Sequence, residues 1–195
     1  MKLITKSPRR MIMTAAVAGA AILLPAVALA SSAGSGSAST GTRSDAVAHP
    51  PCGRSSLTSW MGVPGGLAAG SAYYQLEISN VSSQTCTLYG FPGVSALSST
   101  GRQLGNAAGR DGKAGLTVTL RPYQTAHVIL QVTDVGNFSR AACDPATADT
   151  LRVYAPGDYA SMKFPFTLRA CRRRGPVYLH VSTTISGTGI PGYTV

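Results

Sequence analysis

The sequence predicts an all-β fold, an antiparallel β-sandwich of about eight to ten short strands, on three observations. Apolar residues recur with a period of two, as in Tyr74, Leu76 and Ile78 or Ala126, Val128, Leu130 and Val132, the alternation of a strand with one buried face. The alternating stretches are brief and bounded by clusters such as Val63-Pro64-Gly65-Gly66 and Asn80-Val81-Ser82-Ser83, residues that supply turn geometry or interrupt a ladder. No amphipathic helix stands between them, so the sequence lacks the crossovers that a parallel sheet requires.

The chain opens with a segment that does not belong to this fold. In residues 1–30, Lys2, Lys6, Arg9 and Arg10 precede an apolar run from Met11 to Leu29 that closes on Ala28-Leu29-Ala30, the charged start, hydrophobic middle and small-x-small end of a signal peptide. Gly19 and Pro25 interrupt the run, which barely reaches the ~20 residues of a spanning helix, so cleavage is expected rather than a transmembrane anchor. Arg9-Arg10 matches a twin-arginine signal only in part, and the general secretory route stays open beside it. Residues 31–51 are dominated by Ser, Ala, Gly and Thr, a composition that buries too little apolar surface to offset the entropy of ordering; a disordered linker is expected. Residues 52–195 then make one domain of ordinary size.

The whole chain carries 17 Lys and Arg against 7 Asp and Glu, a net charge of +10. Four of the basic residues lie in the signal segment, so the exported remainder carries +6, the 13 remaining basic residues less the 7 acidic ones. That balance favours solubility and loose attraction to polyanions. All four cysteines, Cys52, Cys86, Cys143 and Cys171, follow the signal segment, and an even count in an exported chain reads as a disulfide framework. Three pairings are open to four cysteines. Cys52 with Cys86 and Cys143 with Cys171 is favoured, because each bond joins sequence neighbours at the rim of the sandwich. A zinc site lacks its signature, since there is no Cys-x-x-Cys pair and no histidine at ligand spacing.

Taken in order, Leu57 to Trp60 reads as a first short strand, turned by Val63-Pro64-Gly65-Gly66, with Trp60 as a core or rim anchor. Tyr73 to Ser79 is the next strand, expected to form a hairpin with Thr85 to Tyr89, where Cys86 and Leu88 share the inner face. Gly90-Phe91-Pro92-Gly93 makes a corner into a strand from Val94 to Leu97, and this cysteine-bearing stretch is expected to organise the fold. Gln103-Leu104 follows the turn at Ser98–Gly101, and Gly105 to Gly115 reads as a loop. Leu116, Val118 and Leu120 alternate before Arg121-Pro122-Tyr123, and a long strand runs from Gln124 to Thr133. Asp134 to Pro145 is a connection holding Cys143. Leu151, Val153 and Ala155 mark a further strand, Phe164 to Leu168 another in which Pro165 signals an edge or bulge, and Val177 to Ile185 the last. Turn-bounded strands of this number suit an immunoglobulin-like topology, with a jelly roll or small barrel left open because alternation fixes faces and not strand order.

The combination of Tyr-x-Leu-x-Ile-Ser-Asn ending at Asn80, Thr-Cys-Thr-Leu-Tyr-Gly-Phe-Pro-Gly-Val at 85–94, the Leu120-Arg121-Pro122 rise into a strand and a downstream cysteine resembles an actinobacterial family of secreted domains of unknown function, number four-two-three-two. The resemblance spans roughly Cys52 to Ile185, and the motif from Cys86 to Val94 is its most specific part. It implies an exported β-sandwich and transfers no catalytic residue. Tyr123 departs from the pattern, standing where the family usually has glycine.

Catalytic chemistry finds little footing. Gly109-Arg110-Asp111-Gly112-Lys113 falls short of a phosphate-binding loop because Ala107 and Ala114 replace the required glycine and hydroxyl residue. Ser95 lacks the second glycine of a nucleophile elbow, and Glu77 is the only glutamate, placed on the polar face of its strand with no partner singled out. His127 and His180 read as surface imidazoles, neighbours across strands at most. No cofactor or metal is indicated. The sharpest charge feature is Arg172-Arg173-Arg174 after Cys171, supported by Arg169, a candidate anion-binding corner. Nucleic-acid binding is disfavoured because aromatic and basic residues are not interleaved. The reading that results is an exported, non-catalytic, monomeric binding or structural module, extracellular or cell-wall associated, whose partner is an anionic envelope polymer or another secreted protein. The alternative is a secreted hydrolase or enzyme inhibitor acting through loops at one end of the sandwich.

Overall fold

A computed structural model describes residues 48–189; the expected signal peptide and most of the expected linker lie outside the described residues. Twelve strands follow one another: β1 (Leu57–Ala68), β2 (Ser71–Asn80), β3 (Cys86–Leu88), β4 (Gly93–Leu97), β5 (Gln103–Leu104), β6 (Gly109–Arg110), β7 (Val118–Leu120), β8 (Thr125–Thr133), β9 (Pro145–Tyr154), β10 (Ser161–Cys171), β11 (Leu179–Val181) and β12 (Ile185–Ser186). The count exceeds the expected eight to ten because β5, β6 and β12 are two-residue pairings, and β6 lies in a stretch that reads as loop. One sheet has the order β1-β2-β8-β11-β6, with β12 also on β8; a second has β10-β9-β4-β5; β3 and β7 pair apart from both. All pairings between these strands are antiparallel except β6 with β11. The chain passes from the first sheet to the second and back repeatedly, as Greek-key sandwiches do.

The two sheets close over one core. Leu76, Ile78, Val128 and Leu130 from the first meet Val94, Ala96, Leu151 and Val153 from the second, while Leu88 and Leu120 from the β3–β7 pair join the same cluster. The alternation expected on β8 is observed, with Ala126, Val128, Leu130 and Val132 buried and Ile129 exposed. Pro165 stands on β10, an edge strand, beside a register shift between Pro165 and Leu168, as a residue without an N–H requires. β1 behaves the same way. It does not stop at Trp60 but continues through Pro64 and Gly66 with two register shifts, and the chain reverses only at Ala69-Gly70.

Two expectations are overturned. β2 forms no hairpin with β3; it lies between β1 and β8, and β3 pairs with β7. The cysteine-bearing strand is thus a three-residue flank, and the central strand is β8, which pairs with β2, β11 and β12.

The cause is Asn80. Its Oδ1 accepts from the Ser82 N–H at 3.0 Å and the Ser82 hydroxyl at 2.7 Å, the turn chemistry the sequence suggests. Its Nδ2, however, donates to the carbonyls of Gln84, Leu120 and Arg121 at 2.7, 3.1 and 3.2 Å, turning β3 away from β2 and onto β7. The last residues of the expected linker are ordered for a related reason. Thr87 N–H donates to the Pro50 carbonyl and Cys52 N–H to the Thr87 carbonyl, both at 2.9 Å, and Cys52 lies at disulfide distance from Cys86, with Cα atoms 4.9 Å apart.

Tyr123 occupies the third position of the turn Arg121–Gln124, closed by Gln124 N–H to Arg121 O at 3.1 Å, with φ of 65°. Proline second and a left-handed residue third define a type II turn, which favours glycine there. Substitutions at both positions test these assignments. Asn80→Ala, which strips the carbonyls of Gln84, Leu120 and Arg121 of a buried donor, should cost about 3 kcal/mol in a denaturant titration; a loss below ~1 kcal/mol would refute its central place. Tyr123→Gly should raise stability by up to about 1 kcal/mol by relieving the left-handed strain, and Tyr123→Val should lower it by a similar amount, both read as shifts in thermal midpoint.

Candidate functional site

The basic corner is built where β10 ends. A short helix, α1 (Arg140–Cys143), is capped by the Ser139 side chain, which accepts from Ala142 N–H, and ends on Asp144 in left-handed conformation. Cys143 and Cys171 lie at disulfide distance, Cα atoms 4.6 Å apart. The turn is pinned further by Arg172 N–H to Asp144 O at 3.0 Å and Arg173 N–H to Cys143 O at 3.1 Å. Both cysteine pairings are therefore those favoured from the sequence, and no described cysteine is free.

The structure separates the four sequence-predicted arginines into three situations. Arg172 faces Asp144, Nη1 to Oδ1 3.8 Å, both side chains about half exposed, so this pair is loose. Arg173 and Arg174 are exposed, with no side-chain partner among the described residues. Arg169 stands apart from the other three, as an exposed residue of β10 that lines a cleft of about 480 Å³ with Leu67, Gly70 and Asp134. In its place the fold brings in Arg140, exposed on α1 one turn before Cys143. Sequence reasoning passes over Arg140 because it lies more than thirty residues from the arginine run and is joined to it only in the fold, by the cystine and the backbone bonds beside it.

Glu77 is the larger surprise. Strand alternation assigns it to the outer face, yet it is fully buried, beneath Gly187 to Gly189. Its Oε1 accepts from Gly189 N–H at 3.0 Å, and Oε2 has no partner among the described residues; the same holds for Gln75 Oε1 on the same strand face. His127 stands opposite Glu77 on β8 and its Nδ1 lies 2.8 Å from the Gly187 carbonyl, so Gly187 to Gly189 covers the pair. Gly62 makes room for the carboxyl, since a Cβ there would come within 2.9 Å of Oε1. Burial raises the Glu77 carboxyl above its ordinary value, while the Gly189 N–H and the charge of nearby His127 offset part of that rise.

The histidines are not neighbours. His180 stands opposite Gln131 and pairs with Asp111, Nδ1 to Oδ1 3.0 Å, whereas His127 lies further along β8 opposite Ile185. Trp60 takes the rim position, partly exposed, with its indole N–H donating to Ser79 Oγ at 3.1 Å. No group of three or more metal-ligating side chains is found among the described residues.

Fold and site define the class first: an all-β sandwich domain stapled at two corners by cystines. The family described as "Domain of unknown function (DUF4232)" matches residues 52–184, and the chain belongs to that family. No curated protein and no solved structure matches it.

The raised Glu77 carboxyl has a measurable consequence. A raised folded-state value means that this group stabilises the fold fully below about its ordinary 4.5 and loses that contribution as pH climbs through the raised value. Glu77→Gln keeps the acceptor for Gly189 and removes the buried charge, so its melting temperature should exceed the parent's at pH 7.5 and converge with it near pH 4. Parallel melting curves across that range would contradict the assignment.

Proposed function

We propose that the chain is an exported, monomeric, non-catalytic module that attaches to an anionic polymer of the cell envelope through the corner of Arg140, Arg173 and Arg174. The observation that carries the reading is the placement of three exposed guanidinium groups without side-chain partners, on a helix and a turn joined by one cystine. Guanidinium groups offer paired donors to phosphate or carboxylate oxygens, and a braced turn loses little further entropy on binding. The net charge of +6 in the exported remainder acts in the same direction. Two cystines suit an oxidising compartment, and no described helix is long and apolar enough to cross a membrane.

Exposed contacts of this kind are worth ~0.2 to 1 kcal/mol each, so attachment should be weak, multivalent and sensitive to salt. Replacing Arg140, Arg173 and Arg174 together with serine should reduce retention on isolated envelope material about tenfold at low ionic strength and leave the melting temperature unchanged. Arg172→Ser alone should have a smaller effect, because Asp144 already engages that side chain. Retention by the triple variant equal to the parent's, or parental retention unchanged in 1 M salt, would defeat the proposal.

A further inference from the structure

A second site lies apart from the arginine corner, at the mouth between β4 and the end of β9. There Phe91, Tyr154 and Tyr159 stand around a cleft of about 350 Å³ with Arg110, Asp158 and Gly93, a volume at the small end of ligand sites. Gly93 pairs with Tyr154 in the β4–β9 register, so the two line the cleft side by side. Arg152 lies over the Tyr154 ring, 5.5 Å from its centroid, and is itself fixed by donating to Gln103 Oε1.

The loop that forms one wall is braced at several points. Ala155 to Asp158 is a turn with Asp158 N–H to Ala155 O at 3.0 Å, proline second and Gly157 third at φ of 78°, a type II turn. The Asp158 carboxylate accepts from Arg54 N–H at 2.6 Å and Ala160 N–H at 3.0 Å, and Arg54 Nε donates to Ser161 O at 3.0 Å. The Ala160 N–H, with the smaller help of Arg54, holds that carboxyl below its usual range. On this braced loop Tyr159 is 96% exposed. Across the cleft, Arg110 lies 6.0 Å from the Phe91 ring centroid and has no carboxylate partner among the described residues, the neighbouring Asp111 being taken by His180.

We infer that this cleft is a binding site for an anionic saccharide, a pyranose ring bearing a carboxylate. Aromatic faces offer apolar surface on which the C–H face of a sugar ring can pack. An unpaired guanidinium offers two parallel donors to a carboxylate. The Asp158 oxygens keep lone pairs for hydroxyl donors, which a sugar supplies and a phosphodiester does not. The few polar groups converge on one small concave surface of mixed character, as orientation of a hydroxylated ring demands.

The test is a titration of the intact protein with trigalacturonate, and with maltotriose as the uncharged comparison, followed by backbone amide NMR and calorimetry. Trigalacturonate should shift the amides of Phe91, Gly93, Arg110 and Tyr154 to Tyr159 and bind at least about tenfold tighter than maltotriose. Tyr159→Ala, at a side chain whose loss removes no packing, and Arg110→Ser should each weaken it about five- to tenfold. The Arg140, Arg173 and Arg174 serine variant should bind the trimer as the parent does, and the Tyr159→Ala protein should still attach to envelope material, so failure of one site is distinguishable from failure of the other. Shifts confined to the arginine corner, no shifts at all, or undiminished binding by Tyr159→Ala overturn the inference; equal binding of the two sugars overturns the role of Arg110.

Discussion

The side chain of Asn80 is the constraint on which the arrangement of strands depends. It is fully buried, and its amide group satisfies carbonyls from two separate segments, Gln84 on the way to β3 and Leu120 and Arg121 at the end of β7. Its backbone adds two more ties to the β7–β8 turn, donating to Gln124 O and accepting from Tyr123 N–H, both at 2.9 Å. A buried polar group is costly unless its hydrogen bonds are made, and here one arrangement of three segments makes them all. That requirement places β3 on β7 and leaves the edge of β2 to β8. The Cys52–Cys86 bond then fixes the incoming chain to the same place.

What is legible in the residues is periodicity and punctuation. The faces of β8, the alternation of Cys86 and Leu88, the turn at Ser98–Gly101 and the bulge at Pro165 depend on spacing within a few residues, and the sequence records spacing directly. Partner choice is another matter. Asn80-Val81-Ser82-Ser83 carries turn chemistry in the acceptor half of the asparagine, which is local; the donor half reaches forty residues away, to Leu120 and Arg121, and no pattern along the chain encodes it. Tyr123 shows the intermediate case: the proline before it announces a turn, but the left-handed angle goes with a closure onto a distant residue, Tyr123 N–H donating to the Asn80 carbonyl.

The same distinction governs the sites. Arg172-Arg173-Arg174 is visible as a run, and its geometry is not, since Asp144 and Arg140 reach it only in the fold, through the Cys143–Cys171 bond and the backbone bonds of Arg172 and Arg173. Alternation places Glu77 in solvent because it describes a sheet with one face bare, whereas Gly187 to Gly189 folds back across that face and seals it. The aromatic cleft is invisible along the chain for a similar reason. Its members come from 91–93, 110 and 154–159, three separate stretches at strand ends and turns, and no spacing along the chain links them.

The edges of the sheets bear on how such a domain stays apart from its own copies, because a bare strand edge invites another chain to pair with it. The long edge strand of each sheet answers this in the same way. β1 carries Pro64 with register shifts on either side, and β10 carries Pro165 beside a shift of its own, so neither presents an unbroken row of N–H groups. The other two edges, β5 and β6, are only two residues long. Strand addition is therefore disfavoured at these four edges of the two larger sheets, which leaves the recognition proposed above to side chains on turns. Both proposed sites follow that logic: each is a turn braced by backbone hydrogen bonds and displaying guanidinium or aromatic groups that the packing of the core does not use.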